Sequence, residues 1–406
     1  MRILRWLLLA LLASGTVAAG TVEGRPGGTT APAPPGSELQ TGRLRADRIR
    51  YDARSRVFTA EGHVRLTIGE VEIRAERLQL DQRAQVATAQ GQVVVQQPGV
   101  RLAADRIRYE IRSRMAEADG RVALLQGDLA LRAGRVRFAL ETRMTQASAG
   151  VTVTQKDLEV RAPSLTHDGR TDQVTAEGGV RLSQGGSTLT GARLAANLRT
   201  MRAEVSGGAR LVRPGTPPAG GAEPLVDALA REETTITADQ MRFRWDVPEA
   251  EASGDVRVRQ RDRTARAARG RYSEAEGRLV LEGDVVVEGL TGDLLLPEGE
   301  RPTSEEARQV LAAPARLACS RLTLFLRSRD MEAEEQVKLT QGARLATGDR
   351  ARYTHRDRRV TVSGNVYLRD EDGNSIRADR VVIALREETF EALGNVQTEF
   401  KVTRTR

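Results

Sequence analysis

The chain has 406 residues, enough for two or three ordinary domains or one long repeat array. Hydrophobic residues make up 39% and aromatics only 3%, which argues against an aromatic-girdled outer-membrane barrel and against a large aromatic-lined enzyme core. The formal charge of +8 is carried almost wholly by arginine, since the only lysines are Lys156, Lys338 and Lys401; this suits an anionic partner without pointing to nucleic acid, and no nucleic-acid partner is expected.

The N-terminal stretch MRILRWLLLALLASGTVAAG reads as a signal peptide over residues 1–19. Arg2 and Arg5 precede an apolar run from Trp6 to Ala13, and Val17-Ala18-Ala19 supplies a small-x-small cleavage site. The apolar run is short for a full membrane span. Residues 20–42, rich in Gly, Pro and Thr, read as a flexible leader. The exported chain carries one cysteine, Cys319, so no intramolecular disulfide can staple it.

From residue 43 onward the chain repeats. Phrases of the type L-x-A-D-R-I-x-Y begin at Leu44, Ile73, Leu102, Leu131, Val160 and Leu189, 29 residues apart each time. Two further copies begin at Ile236 and Ala265, and three more at Leu317, Ala346 and Ile376, making eleven. In the first half of each copy, Leu44, Ala46, Ile49 and Tyr51 head columns of apolar or small residues; in the second half Ala60, Gly62, Val64 and Leu66 do so. Spacing of two is the mark of a half-buried strand. Each copy therefore predicts two strands, about 44–51 and 57–67 in the first, joined by the polar turn DARSR. One step breaks the alternation: Ala46 and Ile49 stand three apart, which predicts a bulge or corner at Asp47-Arg48 and its equivalents. The glycine column predicts a second weak point, where the strand can kink or walls approach.

The array organises the chain into a first block over 43–213, a linker over 214–234, a second block over 235–288, an insertion over 289–316 and a third block over 317–402. Within the insertion, TSEEARQVLAA predicts a short helix with Thr303 as N-cap and Glu306 as its capping-box partner. The two breaks are compatible both with excursions from one sheet and with joints between docked blocks. One copy cannot bury its inner face, whereas stacked copies make a continuous apolar interior under a charged exterior. Because Ala, Val, Leu and Gly dominate that interior, it fits either a partly open groove or a narrow packed core. Eleven repeats give about 22 strands, on the order of 100 Å if all stack in one sheet.

Segments such as ADRIRYDARSRVFTAEGHVRL, AERLQLDQRAQVATAQGQVVV, ADRIRYEIRSRMAEADGRVAL and ADRVVIALREETFEALGNVQT, recurring in phase behind a signal peptide, resemble the OstA-like family. That family includes the periplasmic lipopolysaccharide-transport protein LptA and the N-terminal domain of LptD. The resemblance spans about 44–213 closely and 236–400 recognisably. It implies an all-β fold, a β-jellyroll in which a long antiparallel sheet folds over an apolar groove. It also implies a non-enzymatic function in the periplasm: binding the acyl chains of lipopolysaccharide and conveying it towards the outer membrane. Partners would be the lipid and other jellyroll proteins of the same machinery, joined end to end through terminal strands, with contact to either membrane running through those partners. The groove would be lined by Leu44, Ile49, Tyr51, Val64, Leu66, Ile73, Leu78, Val93, Leu102, Ile107, Tyr109, Val122, Leu124, Val136, Phe138, Val151, Val180 and Leu182. The competing reading is an exported structural or adhesive β-solenoid with no lipid ligand.

Reactive chemistry is not evident. His63, His167 and His355 show no metal-ligand spacing, and a single cysteine makes a zinc cluster improbable. His167 occupies a column otherwise held by Tyr51, Leu80, Tyr109 and Phe138, which predicts packing, and Cys319 occupies the Ala46 column as a small hydrophobe. Asp47, Glu76 and Asp105 recur with the repeat, which predicts structural pairing at the corner rather than acid–base catalysis. No catalytic residue, metal site or cofactor is expected. Arg48, Arg77, Arg106 and Arg135, with Arg193, form the sharper case: a rim of phosphate contacts, or a solvated face that deters edge aggregation.

Overall fold

The computed structural model describes residues 42–215, 232–244, 246–291 and 304–401. The expected signal peptide, the leader up to residue 41 and the expected N-cap Thr303 lie outside these residues. The described residues form twenty-four strand segments and one helix, α1 (Glu305–Ala312). Apart from the first and last rungs, each 29-residue repeat contributes strands of 10 to 13 residues, for example β3 (Val57–Ile68), β4 (Val71–Asp81), β5 (Val86–Gln97), β6 (Val100–Glu110) and β7 (Met115–Gln126). The first rung is broken at its corner into β1 (Gly42–Arg45) and β2 (Arg48–Asp52), both paired with β3. The last is likewise broken into β23 (Thr389–Leu393) and β24 (Gln397–Glu399), both paired with β22 (Ser375–Ala384).

The chain divides into two compact units, one running to Gly185 with Arg193–Thr200, the other comprising Gly186–Ala192 with Met201 onward. In each, consecutive strands pair antiparallel. In the second unit β13 (Arg202–Arg213) pairs directly with β14 (Thr234–Arg244), and β17 (Arg278–Leu290) pairs directly with β18 (Ala315–Phe325). Both breaks in the array are therefore excursions that leave the strand pairing intact.

The period slip and the glycine column turn out to be two halves of one device. Register shifts fall between Arg74 and Arg77 on β4 and between Glu61 and Val64 on β3, so the corners of neighbouring strands lie side by side. At the glycine corner two successive residues take left-handed backbone, as at Gly120 (φ +75°) and Arg121 (φ +46°). A Cβ on Gly120 would lie 2.3 Å from Asp105 Oδ2, because the acidic side chain of the neighbouring strand packs across the glycine. The Asp47 N–H donates to the Gly62 carbonyl at 3.0 Å, which ties the two corners together on the first rung.

The corner splits every strand into two short walls, and the inner residues fall into four rows along the sheet. Ala60, Leu78, Ala89, Ile107, Ala118 and Val136 are successive cross-strand partners in one row. Large and small side chains alternate from rung to rung, so adjacent rungs interdigitate. Val64, Val93, Val122 and Val151, each next to an alanine across the strand, form the row on the other side of the corner and are 0 to 2% exposed.

At one rim the strands are joined by tight turns, and at the other by longer ones closed by an Asp or Asn. Asp81 Oδ1, for instance, accepts the N–H groups of Arg83 and Ala84 at 2.9 and 2.8 Å. Successive long turns are linked by backbone bonds such as Gln82 N–H to Arg56 O and Ile111 N–H to Gln85 O.

Candidate functional site

In the first unit the two walls face one another. Leu66, Ile73 and Val95 from one wall and Leu78, Leu80, Ile107 and Tyr109 from the other line an apolar cavity of about 80 Å³. The cavity is partly open to solvent and its lining is almost wholly apolar. Larger side chains from both walls, with Ala87 and Ala89, enclose the cavity between them.

The expected lining residues occupy different depths. Val64, Val93, Val122, Val151 and Val180 sit at the corner and form a buried floor. Leu44, Leu66, Leu102 and Leu182 stand nearer the short-turn rim and are half-buried; Ile73 and Leu124 in the same row are buried. On the opposite wall Ile107, Tyr109 and Phe138 are buried, and Leu78 and Val136 half-buried. Ile49 and Tyr51 share rows with Ile107 and Tyr109 but are 50% and 53% exposed, because among the described residues no rung covers the outer side of β2.

The arginine column lies on the other face. Arg48, Arg77, Arg106 and Arg135 each precede an inward residue (Ile49, Leu78, Ile107 and Val136), so alternation turns them outward. There they form a cross-strand charge ladder: Arg77 Nε lies 3.5 Å from Glu61, Arg135 pairs with Glu117 and Asp119, and Arg193 Nε lies 3.5 Å from Glu177. Arg48 and Arg106 stand opposite Glu61 and Asp119.

The acidic column pairs across the corner, not with its neighbouring arginine. Asp105 accepts from Arg121 Nη2 at 2.6 Å, and this bond holds its carboxyl below the usual range. Asp47 accepts from His63 Nδ1 at 2.8 Å, which raises the imidazole pKa. Asn365 and Asn395 make the same bond to Asp349 and Asp379 at 3.0 and 2.9 Å. These groups are exposed and serve the corner.

His167 is half-buried in its column with Nε2 lacking a hydrogen-bond partner, and burial lowers its pKa. His355 stands beside Tyr353 and Arg358, and its pKa falls through burial and the Arg358 charge. Cys319 is buried opposite Val285, and desolvation pushes its thiol up to about 11.

Periodicity did not reveal a column of rim glutamines, Gln155, Gln184, Gln260 and Gln341 among them, at the strand ends before the short turns. Gln155 and Gln184 reach Asp128 and Asp157 of the adjacent turns, each at 3.4 Å. The signal was present as a recurrent Gln, but its partner lies one turn away in space.

The family described as LptA/(LptD N-terminal domain) LPS transport protein matches residues 43–114, 72–202 and 159–301. These matches cover more than half of the chain, and the chain belongs to that family. A second family, lipopolysaccharide-assembly, LptC-related, matches residues 254–371. Among solved structures, the crystal structure of LptH, the LptA homologous periplasmic component of the conserved lipopolysaccharide transport device from Pseudomonas aeruginosa, is 14% identical. That alignment covers 29% of this chain and 96% of LptH, with a TM-score of 0.26. None of the curated protein sequences matches the chain.

Proposed function

We propose that this protein binds the acyl chains of lipopolysaccharide between its two walls and acts as one span of a bridge across the periplasm towards the outer membrane. The observation that carries this reading is the pair of facing apolar walls around the Leu66–Ile107 cavity, in a chain whose family is one of LPS transport proteins. Each methylene moved from water into that interior contributes about 0.8 kcal/mol. An acyl chain of several methylenes therefore gains several kcal/mol by entering between the walls that line the cavity. The outward arginine ladder fits a solvated exterior; a phosphate contact would come from arginines whose reach extends past a rim. End-to-end pairing with other jellyroll proteins would use the edges of β1/β2 and β23/β24 that no other strand pairs among the described residues.

The test is site-specific photocrosslinking in cells producing radiolabelled lipopolysaccharide. Probes at Leu66, Leu78 and Leu102 are expected to label the lipid, and probes at Arg65 and Arg121 are not. Equal labelling on both faces, or none, would sink the proposal in favour of a structural solenoid. Recovery of the mature chain in the osmotic-shock fraction checks the periplasmic location.

A further inference from the structure

The helix α1 does not simply fill a loop; its two ends are fastened to opposite rims of the second unit. At its N-terminus the Ser304 N–H lies 3.3 Å from both carboxylate oxygens of Glu388, in the long turn between β22 and β23. At its C-terminus, Gln341 Nε2 donates to the carbonyls of Val310 and Ala313, each at 2.7 Å. Gln341 ends β19 (Asp330–Gln341) at the short-turn rim, and it belongs to the rim-glutamine column that elsewhere reaches the next turn. Here it caps a helix instead, satisfying carbonyls that a helix end leaves free.

The rungs that carry these fastenings are folded as in the first unit. Leu368 from one wall packs in one cluster with Val360 and Ile383 from the other, over the buried Val362, Val366 and Val381. A helix of 8 residues is about 12 Å long, and its two ends contact the two rims at turns three rungs apart, after β19 and after β22. Val310 and Leu311 are half-buried on it, while Arg308 and Gln309 are exposed.

We propose that α1 is a strap across the mouth of the groove over rungs β18–β22, and that its apolar side covers the entry an acyl chain would use. This rests on the reading that the groove takes lipid. Loading of this stretch then requires the strap to leave one rim. The named fastenings are polar contacts at the helix ends, made through Glu388 on one rim and Gln341 on the other.

The test uses the full chain with Cys319→Ala, Ser304→Cys and Glu388→Cys, joined by a short bismaleimide, and photocrosslinking probes at Leu368 (under the strap) or Leu66 (first unit). With purified lipopolysaccharide, the joined protein is expected to label from Leu66 but at least tenfold less from Leu368 than the unjoined protein. Equal labelling from Leu368 in both forms would overturn the strap while leaving groove binding standing. Absence of labelling from Leu66 and Leu368 alike in the unjoined protein would remove groove binding and the strap with it. As a second measure, Gln341→Ala is expected to speed amide exchange across residues 308–312 and raise Leu368 labelling; unchanged exchange and labelling count against the strap.

Discussion

The corner at Gly120 shows how much one side chain can decide. A left-handed alanine costs about 1 kcal/mol relative to glycine, and the new Cβ would also collide with Asp105. The array contains its own control. Where the glycine column carries Ala149, the facing acidic column carries Gly134, on which a Cβ would meet the Ala149 Cβ at 2.7 Å. One side of the contact gives way when the other grows. Gly120→Ala is therefore expected to destabilise by about 2 kcal/mol, and Asp105→Gly to cost less in that background than alone, a coupling of about 1 kcal/mol in a denaturation double-mutant cycle. Strict additivity would refute the contact. Ala149→Gly is expected to stabilise by about 1 kcal/mol. His167 gives a pH signature of definite sign. Burial holds its imidazole below the ordinary value of 6.5, so the folded chain binds fewer protons there than the unfolded chain. Its contribution to stability is complete above that value and is lost as pH falls through it towards the folded pKa. His167→Phe, the residue its column holds at Phe138, should flatten the melting temperature on the acid side of neutrality; an unchanged acid slope would show that other groups carry it. His63 has the opposite sign, because Asp47 raises its pKa, and its effect should fade in salt.

At the scale of the element, packing depends on alternation between rungs. Ala118 stands between Ile107 and Val136 in its row. Ala118→Leu puts three large side chains abreast, and overpacking of that kind costs about 1 to 3 kcal/mol. A melting temperature unaffected by Ala118→Leu would mean the walls are loose enough to absorb it. The in–out alternation along each strand was legible in the sequence, because Ile49 and Ala60 head recurring columns and a two-residue period needs no partner to be recognised; the large-against-small pairing between rungs was not, because it depends on the register. The Ala46–Ile49 slip was legible for the same reason. The left-handed pair at Gly120-Arg121 was not, since Arg121 looks like any exposed arginine until Asp105 lies beside it. Nor could composition separate an excursion from a joint at residues 214–234. The pairing that decides it, Ala203 against Phe243 and Leu211 against Ile236, is made by the flanking strands. The fastenings of α1 were equally hidden, because Gln341 and Glu388 are far from it in the chain.

Over the whole molecule, the first and last rungs depart from the repeat in the same way. Inner positions that are 3 to 4% exposed at Ile107 and Tyr109 rise to 50% and 53% at Ile49 and Tyr51. At the other end Phe390, Val396 and Phe400 are 59%, 46% and 71% exposed on or beside β23 and β24. An inner row left open at an edge carries both an apolar surface and unpaired backbone groups, the combination that strand addition satisfies. On the proposed reading this edge takes one more rung of the same pattern, and the partner would be another jellyroll with a matching row. Phe390→Glu together with Phe400→Glu places charge where that rung would lie. The pair is expected to reduce crosslinking from a photoreactive residue at Val396 to its partner in cells by at least tenfold. Lipid labelling from Leu66 in the purified chain should stay unchanged, since that site lies in the other unit. Undiminished crosslinking from Val396 would show that the last rung is not the docking edge.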